Sequence, residues 1–276
     1  MGIDKLIFWA STFLYFLATI GYIIQFITLR KDAEKAATII LAGGFSLQSC
    51  YIILRWLNLR HPPFINLHEA LSFLAWSIVG TYLIMQIKHK PKGLGAFVTP
   101  LVTIIMLIAA TQPQASMLTL PPALRSFWLP IHATICLIGD AVFALAFCIA
   151  VMYMVQEHQI KKKKFGAVFK RLPSLTTLDQ LNYLCLKIGF PLLTVGIITG
   201  SIWAEKAWGS YWSWDPKETW SLITWFLYAA LLHQRLTVGW RGRRAAIMTI
   251  IGFLALGFTF LGVSLLMPGL HTYYVR

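Results

Sequence analysis

A chain of 276 residues that is 58% hydrophobic and only 12% charged, with a mean hydropathy of +0.67, is too apolar to be a water-soluble domain. Its net charge of +14 would suit nucleic acid, but the basic residues flank apolar runs, so membrane orientation and anionic lipid account for them and no nucleic-acid partner is expected. Cys50, Cys136, Cys148 and Cys185 lie in or beside apolar runs without a Cys-x-x-Cys pair, so neither a disulfide framework nor a thiol-exchange site is indicated.

Apolar runs fit to span a bilayer, which takes about 20 residues of helix, lie near 6–29, 38–57, 67–87, 94–111, 131–155, 184–203, 217–235 and 247–266. The expected fold is an all-α polytopic bundle of about eight transmembrane helices, one domain over residues 1–276. The first run is long enough to stay in the membrane, so no cleavable signal peptide is expected. Assigning the loops after spans one, three, five and seven to the cytoplasm puts 16 of the 24 Lys and Arg residues there. By the positive-inside rule both termini then lie outside.

Span one ends at Arg30-Lys31, and span two carries Gly43-Gly44, a pair that lets a neighbouring helix come close. The segment from Arg60 to Asn66 breaks at Pro62-Pro63, and Asn66 can cap span three. There His68 stands beside Glu69. The two either anchor the helix at the interface or serve a ligand, which makes His68 a secondary candidate. After span four an external loop of about 112–130 ends at Pro130, which starts span five and sets His132 in its first turn. Asp140, two turns deeper, is a carboxylate in an apolar run. Either it is functional or it makes a structural hydrogen bond to a neighbouring helix. The cytoplasmic segment 156–182 holds Lys161 to Lys164 and amphipathic pieces such as 165–169, suited to a helix lying on anionic lipid.

The stretch from Trp203 to Trp225 is the chain's most distinctive. Five tryptophans and Tyr211 fall between Trp203 and Trp220, in a segment too polar for the lipid interior. Asp215, Pro216 and Glu218 have the form of a capping box opening span seven, so the aromatic loop feeds directly into a helix. Span seven carries His233 about 26 Å along its axis from Pro216, and span eight returns outward to His271. Topology thus brings His132 and His271 to the tryptophan loop and leaves His233 at the opposite membrane face.

Two histidines flanking an aromatic platform suit haem, whose iron takes two axial imidazoles while indoles pack on the porphyrin. Zinc fits less well, since the outer loops offer no close cluster of three or four ligands. An interfacial tryptophan belt also has precedent, although it does not explain Gly209 or the Asp-Pro-Lys-Glu helix start. On the residues alone both readings stay open.

Trp208-Gly209-Ser210-Tyr211-Trp212-Ser213-Trp214-Asp215-Pro216-Lys217-Glu218 resembles the WWD signature of haem-handling proteins of cytochrome c maturation, and most of the chain is similar to the CcsA/ResC family of the system II pathway. The resemblance implies that His132 and His271 ligate the iron of haem b (iron protoporphyrin IX) outside the membrane. It also implies that Trp208, Gly209, Tyr211, Trp212, Trp214, Asp215, Pro216, Lys217 and Glu218 help to hold the haem. His233 would belong to a transmembrane haem site completed by a ResB/CcsB-like partner subunit. The implied activity is that of a holocytochrome c synthase, which attaches haem to the Cys-x-x-Cys-His segment of apocytochrome c. The alternatives are a CcmC-like haem exporter or chaperone, and a HemX-like regulatory protein, against which the intact Trp-Asp-Pro-Lys-Glu segment argues. The chain departs from the family at His68, where an aromatic residue is more frequent, and at Asp140, where tyrosine is common.

Overall fold

In a chain this apolar the backbone groups can be satisfied inside a bilayer only by helices or a closed barrel. The computed structural model describes residues 2–59, 61–63, 65–113, 122–267 and 269–270. Among them there are helices and no strand. The helices are α1 (Ile3–Thr28), α2 (Lys31–Leu59), α3 (Leu67–His89), α4 (Gly95–Thr111), α5 (Trp128–Lys161), α6 (Ala167–Arg171), α7 (Leu175–Trp208), α8 (Pro216–His233), α9 (Arg243–Gly257) and α10 (Val263–Leu266). Wide π turns follow α8 at Gln234–Val238 and join α9 to α10 at Phe258–Gly262.

Every expected apolar run falls on a helix, and the protein is an all-α polytopic membrane protein. Among the described residues six helices are long and apolar enough to cross a bilayer: α1, α2, α3, α5, α7 and the continuous Arg243–Leu266. Of the other two runs, α4 is apolar but has 17 residues, and α8 has 18 with Lys217 and Glu218 in its first turn. The segment 156–182 is mostly helical rather than a loop, since α5 continues to Lys161 and α7 already begins at Leu175. Hydropathy marks where lipid ends, and these helices run past that point.

The chain divides into two compact units, Met1–Ser116 with Val155–Leu175, and Met117–Met154 with Thr176–Arg276. In the first unit α1 and α2 lie so close that a Cβ on Gly44 would stand 2.8 Å from the Tyr15 ring, whereas Gly43 meets nothing. Only one glycine of the pair is needed. Polar side chains stitch the unit together: Tyr15 Oη donates to Gln48 Oε1 at 2.5 Å, and Gln48 Nε2 donates to the Ser72 carbonyl at 2.8 Å. Asn66 caps α3 by accepting the Glu69 amide at 2.9 Å. Glu69 is buried and takes Arg55 Nη2 at 2.5 Å, while Asp4 lies 3.4 Å from the same guanidinium. The short α6 has no buried residue, and Arg171 at its end donates to the Ile27 carbonyl.

In the second unit Phe143 of α5 stacks on Tyr228 of α8 with ring centroids 3.8 Å apart, and Leu186, Leu193, Leu231 and Leu256 pack around them. Asn182 of α7 donates to the Ala146 carbonyl at 3.0 Å and accepts from Thr249 at 3.2 Å, linking α5, α7 and α9. The α8–α9 turn is tied to α7 by Asp179, which pairs with Arg235 through two bonds of 3.0 and 2.5 Å and accepts the Gly242 amide at 2.8 Å.

Glu69→Ala removes the close partner of a buried guanidinium. It should cost on the order of 3 kcal/mol, read as a lower melting temperature of the detergent-solubilised protein. A change indistinguishable from that of an exposed Lys161→Ala control would contradict the assignment.

Candidate functional site

Two of the tryptophans belong to a helix rather than to the loop, because α7 continues through Trp203 to Trp208. It stops at Gly209, whose φ of +76° suits glycine and whose amide donates back to the Glu205 carbonyl at 2.9 Å. No atom lies within 4 Å of where a Gly209 side chain would begin, so the glycine is there for its backbone conformation. The chain then runs through Ser210 to Trp214 and enters α8 at Pro216.

The loop's shape is set from the first turn of α8. Trp214 has φ +59°, a left-handed conformation that is uncommon for a bulky side chain and costs of order 1 kcal/mol or more. Glu218 holds it there. One carboxylate oxygen accepts the Ser213 amide at 2.7 Å and the Asp215 amide at 3.2 Å, gripping the residues on either side of Trp214. Asp215 Oδ1 accepts the Lys217 amide at 2.9 Å, completing the expected capping box. The result is a display of aromatic surface: Tyr211 is 62% exposed and Trp214 68%, and Trp212 meets Trp214 edge to face at 5.8 Å. Trp220 instead packs on Phe258 at 4.4 Å. The stretch is therefore two structures, a helical Trp203–Trp208 corner and an exposed Tyr211–Trp214 shelf.

His132 lies in the second turn of α5, which opens at Trp128 rather than at Pro130. Its ring rests on α7 against Gly200, and Cys136 one turn on fills the space at Gly196. Nδ1 donates to the Gly196 carbonyl at 2.8 Å, and a Cβ on Gly200 would come 2.6 Å from Cε1. The imidazole is nearly parallel to the Trp203 indole, with centroids 6.0 Å apart and planes 15° apart, and Trp203 meets Trp208 edge to face at 5.1 Å. A carbonyl can only accept, so Nδ1 carries the proton and the ring lone pair sits on Nε2. That arrangement, one ring nitrogen tied to a carbonyl and the other basic, is the one found in metal-ligating histidines.

The remaining candidates separate. His271 lies outside the described residues, but Leu270 just before it donates its amide to Asp215 Oδ2 at 2.6 Å. Lys217 reaches Ser264 at 3.2 Å, and Asp140 lies inside α5. His233 is exposed at the end of an unbroken α8, about 26 Å along the axis from Pro216. His68 is fully buried in the first unit, with Nδ1 2.7 Å from the Ala109 carbonyl and Nε2 2.9 Å from Tyr51 Oη. Both its nitrogens are engaged within the protein. Among the described residues no three His, Cys, Asp or Glu side chains converge as a metal site. Gly196, Gly200 and the Glu218 grip on Ser213 were not singled out beforehand. The Gly-x-x-x-Gly spacing on α7 was the available signal for the first two.

A family model described as cytochrome C assembly protein matches residues 64–271. The chain is 40% identical over 231 residues to the cytochrome c biogenesis protein CcsA of Chlamydomonas reinhardtii, a match covering 80% of this chain and 64% of that one. The CcsA of Guillardia theta is 37% identical over 237 residues, with 79% of each chain covered. That of Synechococcus sp. (strain CC9902) is 35% identical, with 94% of this chain and 93% of the relative covered. The solved structure of the cytochrome c heme lyase CcmF shares the fold at a TM-score of 0.68 and 15% identity over 94% of this chain. The chain spans about half the length of that protein, 48%.

Glu218→Ala should release the Ser213 and Asp215 amides and remove the reciprocal half of the α8 capping box, at a cost of about 1–2 kcal/mol. Thermal melting would register the loss, and acrylamide quenching of tryptophan fluorescence would rise as the shelf loosens. Unchanged quenching would show that Glu218 does not shape the loop.

Proposed function

The chain belongs to the cytochrome c assembly protein family, in its CcsA branch, and from that premise we propose that it is the haem-handling subunit of a holocytochrome c synthase. Haem b is the substrate. It enters at a membrane site built on His233, whose opposite ligand comes from a ResB/CcsB-like subunit. It is then held at the extracytoplasmic face by His132 and His271 against the Tyr211–Trp214 shelf. In this reading the protein sits in a cytoplasmic or thylakoid-type membrane, with both termini and the tryptophan loop outside, and residues 1–276 act as one haem-handling domain.

One observation carries the proposal: the His132 Nδ1–H is fixed on the Gly196 carbonyl beside Trp203, which sets the ring's orientation at the tryptophan corner and leaves its lone pair on Nε2. An imidazole so oriented loses little freedom on binding iron. Tyr211 and Trp214 supply flat exposed surface for the macrocycle.

Apocytochrome c then presents its Cys-x-x-Cys-His segment. Each thiol adds across one haem vinyl group, so that a carbon–sulfur bond forms, the S–H bond breaks and the proton goes to the neighbouring vinyl carbon. The addition consumes no oxidant or reductant. What this chain contributes is alignment, and holding the reactants in register can supply several kcal/mol of the barrier. Its side chains need supply no nucleophile.

Co-expression of the chain with a ResB/CcsB-like subunit and an apocytochrome c, in a host without its own maturation system, tests the activity through covalently attached haem. Haem that co-purifies with the chain yet never becomes covalent would assign it to export or chaperoning instead. For the ligands, His132→Ala and His271→Ala should each lose the low-spin spectrum of bis-histidine haem and regain it on addition of imidazole. Wild-type spectra in both variants would refute the ligand assignment.

A further inference from the structure

Asp215 does more than an N-cap requires. Capping takes one acceptor oxygen, and Asn, Ser or Thr would serve comparably. Here Oδ1 does the capping, at 2.9 Å from the Lys217 amide, while Oδ2 receives the Leu270 amide at 2.6 Å from a segment 55 residues away in sequence. The carboxylate is 6% exposed, so both bonds are shielded from water. The contact is close on the other side too, since a Cβ on Gly269 would run into the same carboxylate. Among small side chains only an ionised carboxylate offers two acceptor oxygens and no donor, which is what two converging N–H groups need.

We propose that Asp215 is a positioning residue, one that anchors the peptide at Leu270 to the head of α8 and thereby sets where His271 meets haem. Consecutive Cα atoms are about 3.8 Å apart, so an anchored Leu270 confines the residue after it. The same residue, through its backbone amide, which donates to Glu218, belongs to the device that shapes the tryptophan shelf. One residue thus ties shelf and ligand segment together, the first through its main chain and the second through its carboxylate. This inference rests on the reading of His271 as a haem ligand.

Asp215→Asn is the decisive variant. Asparagine caps helices well, but it has one acceptor where two donors arrive, and its amide NH2 opposes one of them. Hydrogen–deuterium exchange of residues 269–276, in the full chain purified with its haem, should quicken roughly tenfold, as expected for loss of one buried hydrogen bond, while exchange of α5 and α7 stays unchanged. The haem spectrum should shift from low spin towards a singly ligated form, and imidazole should restore it. Gly269→Ala crowds the same contact from the other strand and should reproduce both effects, which keeps the test decisive if Asp215→Asn folds poorly. Wild-type exchange in both variants would overturn the anchor. Faster exchange with an unaltered spectrum would overturn the positioning role. An unaltered spectrum in His271→Ala would instead defeat the ligand reading, and exchange would still report on the anchor by itself.

Discussion

A loop of indoles and small polar residues has no conformation of its own, and the two carboxylates at the head of α8 give this one its shape. Glu218 holds the amides on both sides of Trp214, and Asp215 joins the first turn of α8 to the peptide before the C-terminal histidine. Four backbone donors that would otherwise need water are satisfied by two side chains. The stabilisation is local, but it decides what faces outward: Trp214 can stay in a left-handed conformation only because its neighbours on either side are held.

Small residues form a second layer of control. Along α7, Gly200 lets the His132 imidazole of α5 and Gly196 lets Cys136 come close to the helix, where the Gly196 carbonyl is within reach of the ring. In an apolar environment there is little hydrophobic gain from bringing helices together, so close backbone approach and specific polar contacts take over. The first unit follows the same rule through Gly44 against Tyr15 and the Gln48 hydrogen bonds.

Helix positions and the cap at Asp215 were readable from the amino acids, because apolar run length and the Asp-Pro-x-Glu order are local signals. So was the importance of Gly209, whose positive φ is a property of a single residue. Helix ends were less so: hydropathy reports the lipid boundary, and α5 and α7 extend past it into polar sequence. The partition of the tryptophans was not legible either. Whether an indole is displayed like Trp214 or packed like Trp203 and Trp220 depends on which way a turn faces, and that is set by contacts such as Glu218 to Ser213. His68 reads in sequence as an isolated polar group beside apolar residues, yet it is engaged at both nitrogens. Long-range pairing of this kind leaves no periodicity to read.

The wide turn at Phe258–Gly262 has the character of a one-residue insertion in an otherwise regular helix. Relative to an uninterrupted α-helix, everything beyond it is rotated by about 100° around the axis. That change of phase governs which way α10 faces, and with it the Ser264 hydroxyl that meets Lys217 and the direction in which the chain leaves towards Leu270. The angular setting of the last helix is therefore fixed in mid-span, against Trp220, well before the chain arrives at the carboxylate that receives it.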